Sequence, residues 1–130
     1  MTAETTDRVM EGKEYRQKIL DKLDMETSNA ETLKALDDRD TYIQALEDKV
    51  EELKATLEEM TAKSKNMEKE VRAEYQADVK MLEMRYAKAK AKLDDIRKTS
   101  GEAWKELQNG AFGALREFGN GLKNAVSKFW

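Results

Sequence analysis

The stretch Leu57-Glu-Glu-Met60-Thr-Ala-Lys-Ser64-Lys-Asn-Met67-Glu-Lys-Glu-Val71 decides how the chain folds. Its apolar side chains return at steps of three and four, the spacing of a coiled-coil seam, with Ser64 in a place that the pattern reserves for an apolar residue. A hairpin loop at Ser64-Lys65-Asn66 would fit the weak point of the seam and the change in sign of net charge there. The phase runs through without a slip, however, and this favours one continuous helix.

The same seam extends in both directions. Leu36, Ile43, Val50, Leu57 and Val71 share one seven-residue track, and Leu46, Leu53, Met60 and Met67 share the second. Beyond Val71, Tyr75 and Val79 follow at steps of four, after which Leu82, Tyr86, Ala89, Leu93 and Ile96 resume the three-four alternation. Val71 to Leu82 is thus an eleven-residue unit that locally relaxes left-handed supercoiling. No Gly or Pro falls between Lys13 and Ser100, so a single helix is expected over 28–98, about 105 Å long if residues 29–98 are all helical. A lone helix of this kind leaves its apolar stripe in water. The seam therefore implies a second copy of the chain or a helical protein partner. β-Branched Ile43 and Val50 opposite Leu46 and Leu53 suit a parallel dimer, while the uneven charge, −8 over residues 1–61 and +4 over 62–98, suits antiparallel pairing equally well.

Residues 1–27 carry a shorter helical pattern, Tyr15, Ile19, Leu20 and Leu23, with Thr5, Thr6 and Asp7 as candidate caps. Thr27-Ser28-Asn29 interrupts it, and Ser28 with Glu31 has the spacing of a capping box, so a new helix can start there.

Residues 99–130 differ in composition and in expected role. Five of the six glycines, both tryptophans and all three phenylalanines lie after Ser100. Thr99, Ser100 and Gly101 read as a hinge into a new helix, with Thr99 and Glu102 at capping-box spacing. The apolar residues Trp104, Leu107, Ala111, Leu115, Phe118, Leu122, Val126 and Phe129 follow an eleven-residue period, and Trp104–Ala114 aligns with Leu115–Ala125 as a repeat. Eleven residues are almost three whole turns, so this face stays straight along the helix. Phe112 and Trp130 widen one edge of it, and Lys105, Arg116, Lys123 and Lys128 flank it, placed to carry charge to an anionic membrane surface. The alternative is that Trp104, Leu107, Phe118 and Phe129 form the core of a helical bundle, folded back on the rod or on a partner chain. Each interior glycine costs about 1 kcal/mol relative to alanine, which favours folding of the segment only when its face is covered.

Composition narrows the chemistry. The chain has 130 residues, 39% of them charged, with a net charge of −3 and no Pro, Cys or His; its mean hydropathy is −0.88. The commonest general base and metal ligand and the commonest thiol nucleophile are therefore missing. The Glu pairs of the rod sit off the seam without a pocket to split their pKa values. No enzyme activity, cofactor or metal is expected. Asp37-Asp38-Arg39-Asp40 lacks the Gly and terminal Glu of a calcium loop. The basic run Lys88, Lys90, Lys92, Arg97 and Lys98 is interspersed with acids in an acidic protein, which argues against nucleic acid. The start of the chain lacks the regions of a signal peptide, and no window is apolar enough to span a bilayer; a cytoplasmic protein is expected, with its tail able to rest peripherally on a membrane.

From Val71-Arg-Ala-Glu-Tyr75 through the Lys/Ala-rich run to Ser100-Gly-Glu-Ala-Trp-Lys-Glu-Leu107, residues 67–130 resemble small bacterial coiled-coil proteins of the general-stress, apolipoprotein-like type. Ser100, Gly101, Ala103, Trp104 and Leu107 carry most of that resemblance. It implies a non-enzymatic, stress-linked helical protein with an amphipathic tail. The expected fold is all-α: a long coiled-coil helix followed by a hinged C-terminal amphipathic helix, with no compact globular domain. The expected function is oligomerisation through the seam and docking to a membrane surface through the tail, the alternative being a scaffold or accessory subunit whose tail packs into a protein partner.

Overall fold

The run of residues around Ser64 turns the chain back on itself. In a computed structural model, which describes residues 3–33 and 36–130 and the side chains of 12–28, 32–33 and 36–130, helix α2 (Arg39–Ser64) ends at this serine and helix α3 (Lys69–Lys98) begins five residues later. The last turn tightens as the amides of Lys65, Asn66 and Met67 donate to the carbonyls of Ala62, Lys63 and Ser64. Ser64 is buried, and its hydroxyl donates to the Thr61 carbonyl at 2.6 Å. Thr61 and Tyr75 then join the two helices through a 3.0 Å hydroxyl contact. A polar residue at the seam thus satisfies itself on its own backbone, and the chain covers its own apolar stripe by folding back, which one continuous rod cannot do. Val71, placed on the seam by its phase, is left exposed beside the turn, and Met67 is only partly buried.

A second division precedes α2. Helix α1 spans Ala3–Thr32 and α2 begins at Arg39, so Thr27, Ser28 and Asn29 lie within α1 and the division expected there falls later in the chain. The Ser28–Glu31 capping box has no counterpart, since both residues are inside α1 and the Glu31 side chain lies outside the described residues, as do those of Thr5, Thr6 and Asp7. What starts α2 is Asp38: its backbone is extended (φ −90°, ψ 122°), and its carboxylate accepts from the Thr41 amide at 2.9 Å and the Thr41 hydroxyl at 2.5 Å. This is an N-cap, and it gives part of the acidic cluster at 37–40 a structural role.

Helix α4 (Trp104–Phe129) follows a non-helical connection in which Gly101 has φ 67°. That left-handed conformation is costly for any residue with a Cβ. The Thr99–Glu102 capping box does not form: the Thr99 hydroxyl donates back to the Asp95 carbonyl at 2.8 Å, and the cap residue of α4 is Ala103, without a side-chain bond.

Residue pairs fix the topology. Lys49 meets Glu26 and Lys63 covers Tyr15, so α1 and α2 are antiparallel. Glu47 meets Arg97, Glu51 meets Lys90 and Thr61 meets Tyr75, so α2 and α3 are antiparallel. Glu117 meets Lys88 and Lys128 meets Asp78, so α3 and α4 are too. Lys123 meets Asp24, and α4 closes the ring against α1. The result is an up-down-up-down four-helix bundle with α2 and α4 touching across its diagonal. The extended rod with a separate tail is replaced by a packed domain, because its two apolar elements find each other within one chain.

Candidate functional site: the seat of α4

The feature that sets this bundle apart is how α4 is held. Its apolar face drops into a groove walled by α1, α2 and α3, where Trp104, Ala111, Phe112, Leu115, Phe118, Leu122 and Val126 are all buried. Burying a side chain of this size contributes roughly 1.5–3 kcal/mol. Leu107, expected on the same face, is 37% exposed, and Phe129 and Trp130 are partly buried at the far end.

Aromatic contacts anchor both ends of the helix. At its start the ring of Trp104 lies 5.6 Å from that of Tyr42, whose hydroxyl reaches the Gln108 carbonyl at 3.4 Å. In the middle, Phe118 packs against Tyr86 at 5.9 Å. At its end, Tyr75 takes Phe129 and Trp130 edge-on at 5.5 and 5.6 Å, and Tyr15 lies 5.5 Å from Trp130. Edge-to-face pairs of this kind are worth about 0.5–1.5 kcal/mol beyond area burial.

Two glycines set how closely the walls approach. A Cβ on Gly119 would lie 2.8 Å from Thr27 Cγ2, and one on Gly121 would lie 2.6 Å from Leu82 Cδ2 and 2.5 Å from Arg85 Nη1. α1 therefore approaches at the first position and α3 at the second. Gly113 meets nothing within 4 Å, and Gly110 meets only the Lys92 stem at 3.9 Å.

The cations expected to flank a lipid-facing stripe have other partners here. Lys123 pairs with Asp24 at 2.6 Å, Lys128 with Asp78 at 3.6 Å and Lys105 with Glu102 at 2.9 Å, while Arg116 sits over the Phe112 ring at 5.8 Å. The basic run of α3 is likewise used inside the chain: Lys88 binds Glu117, Lys90 binds Glu47 and Glu51, and Arg97 binds Glu47 and Asp94. The acidic first half and basic middle of the sequence are thus two antiparallel walls of one bundle.

The titratable groups bear out a packing role for these contacts. Burial raises Tyr42 to about 12 and raises Tyr75, against the hydrogen bond it shares with Thr61. The hydrogen bond to Glu51 raises Tyr86, and the same bond, with help from Lys90, lowers Glu51. Between α1 and α2, burial works to raise Glu26, but hydrogen bonds with Glu52 and Lys49 outweigh it and hold the carboxyl below its usual range. Glu52 is raised by its bond to Glu26 and by burial.

The seam residues expected to join two chains line the same interior. Ile43, Leu46, Val50, Leu53, Leu57 and Met60 of α2 and Tyr75, Leu82, Leu93 and Ile96 of α3 are buried by their own chain, with Leu36, Val79 and Tyr86 partly so. An exposed seam therefore gives no reason for a second chain. Thr99, Ser100 and Gly101 form the connection beside the seat, tied to α2 by the Arg39 guanidinium donating to the Thr99 carbonyl. Sequence reasoning missed Tyr15, Tyr42 and Thr27 as parts of the seat. Tyr42 gave a signal: with Thr56 it extends the apolar face of α2 beyond the two seam tracks, and both residues are buried.

Fold and seat together define an all-α domain, a helical bundle whose last helix is inserted into a groove made by the first three. Residues 11–97 match the family described as vesicle transport v-SNARE protein N-terminus, and the chain belongs to that family. The match takes in most of α1, all of α2 and nearly all of α3, and stops before α4. No curated protein and no solved structure matches the chain. Among the described residues no helix is long and apolar enough to cross a membrane.

Proposed function

We propose that this chain is a non-enzymatic interaction module of vesicle trafficking, working on the cytoplasmic side and recognising a helical protein partner at the groove that α4 covers. The observation that supports this most is the division of labour: the family-matched helices build a groove of helical width, and a helix outside the match fills it. The sequence, without His or Cys, adds no chemistry that would make the groove an active site. Residues 67–130 resemble coiled-coil stress proteins, and this resemblance adds a stress-linked setting to the same class of function.

The test uses the full chain with Trp104→Ala and Phe118→Ala, which loosens α4 at its start and centre. Immobilised SNARE-type helical segments should retain this variant more strongly than the unaltered chain. Equal, absent or weaker retention would overturn the reading.

A second reading has one observation behind it. Asp24 and Asp78 hold Lys123 and Lys128 where lipid phosphates would hold them if α4 left the bundle to lie on an anionic surface. Co-sedimentation with phosphatidylserine vesicles tests it: the loosened variant should bind more than the unaltered chain, and equal binding would remove α4 from that role.

A further inference from the structure

We propose that the seat of α4 also accepts α4 from a second copy of this chain, with the 99–103 connection as the hinge. The proposal rests on the preceding reading and names one partner for the same groove. Among the described residues, the main contacts of α4 lie between it and α1–α3: the Tyr42–Trp104 pair, the Gly119 approach to Thr27, and the ion pairs to Asp24, Asp78 and Lys88. Moving the helix to a neighbouring copy keeps all of these contacts and changes only the connection.

That connection favours exchange. Ser100, Gly101, Glu102 and Ala103 are exposed, and nothing lies within 4 Å of a Cβ on Gly101. Its closed form depends on one residue in the left-handed region. Once Gly101 becomes helical, the sequence supports a straight path: Leu93, Ile96, Ser100, Trp104, Leu107 and Ala111 follow at steps of three and four. α3 and α4 would then form one helix about 90 Å long, with a single polar residue, Ser100, in the stripe around the hinge. A helix of that length cannot fold onto its own α1 and α2, and a second copy supplies the missing groove.

The seat itself provides the reporter. The distance of 2.8 Å between the Gly119 Cβ position and Thr27 Cγ2 is close to what a disulfide requires of Cβ and the opposite sulfur, and the chain has no cysteine of its own. Thr27→Cys with Gly119→Cys therefore links α4 to whichever α1 it lies on. Adding Gly101→Val places a β-branched residue at a positive φ, which penalises the closed hinge by roughly tenfold per chain without touching the seat. On oxidation this triple variant should give a disulfide-linked dimer of doubled mass with no free thiol. With the native hinge, the linked dimer should become a larger share when the reduced double variant is concentrated about a hundredfold before oxidation. Intrachain-linked monomer alone, in the triple variant and at both concentrations of the double variant, would overturn the proposal. The concentration series decides the matter if the triple variant does not fold. Retention of SNARE-type helices by the loosened chain, measured separately, shows whether the groove reading fails along with it.

Discussion

Replacing the four glycines within α4 by alanine, one at a time, should divide them into two pairs of opposite behaviour. In a helix interior each change relieves about 1 kcal/mol of backbone cost. At Gly113 a new methyl meets nothing within 4 Å, and at Gly110 it meets only the Lys92 stem at 3.9 Å, so both alanines should stabilise the chain by that amount and raise Tm by about 4 °C. At Gly121 the methyl would fall 2.6 Å from Leu82 Cδ2, on a side chain only 2% exposed, and 2.5 Å from Arg85 Nη1. The guanidinium can swing aside, giving up its bond to the Glu117 carbonyl, but the leucine has no room. At Gly119 the obstacle is the Thr27 methyl at 2.8 Å, fixed because the Thr27 hydroxyl donates to the Leu23 carbonyl. Overpacking of this kind costs about 1–3 kcal/mol, which leaves these two alanines neutral or destabilising by up to about 2 kcal/mol. Urea unfolding followed by far-UV circular dichroism measures the split as shifts of midpoint at constant slope. Four equal stabilisations, the behaviour of a tail that touches nothing, would refute the seat.

Three further outcomes follow from the same packing. Phe118→Ala, at a fully buried position, should destabilise the chain by about 3–5 kcal/mol in the same urea assay, whereas a detached tail would show almost no loss. Tyr15→Phe should stabilise the chain by about 1 kcal/mol, because the buried Tyr15 hydroxyl finds no hydrogen-bond partner among the described residues and an unpaired buried group carries its full desolvation cost. Stability should also fall in alkali. The pKa of Tyr42, raised to about 12 by burial, lies above its unfolded value of about 10, so its contribution is complete below pH of about 10 and lost as pH climbs towards 12. Thermal scans across that window should show less loss for Tyr42→Phe than for the unaltered chain.

The seam tracks along 36–60 and the apolar face of 104–129 were legible in the sequence because burial follows helical period, whichever chain supplies the cover. Whether that cover comes from another molecule or from the same one was not legible at Ser64. A four-residue turn between antiparallel helices leaves the three-four phase intact, so Leu57, Met60, Ser64, Met67 and Val71 read alike for a rod and for a hairpin. The width of the stripe was the better guide. A two-stranded seam uses two positions in seven, whereas a bundle helix uses three, and Tyr42 and Thr56 are the extra positions in α2. In the tail the eleven-residue period described a straight apolar face without naming what lies against it. Gly119 and Gly121 carried that information, but only beside Thr27 and Leu82, residues distant in sequence. The start of α2 at Arg39 was hidden by an acidic cluster whose capping role depends on the extended backbone of Asp38.

Small-angle scattering with a mass measurement in dilute solution tests the central claim most directly. A chain folded on itself with α4 in its seat should scatter as a monomer of 15.0 kDa with a radius of gyration of about 14 Å. A rod of about 105 Å, alone or paired along its seam, would give about 30 Å or more, and a value in that range would contradict the account.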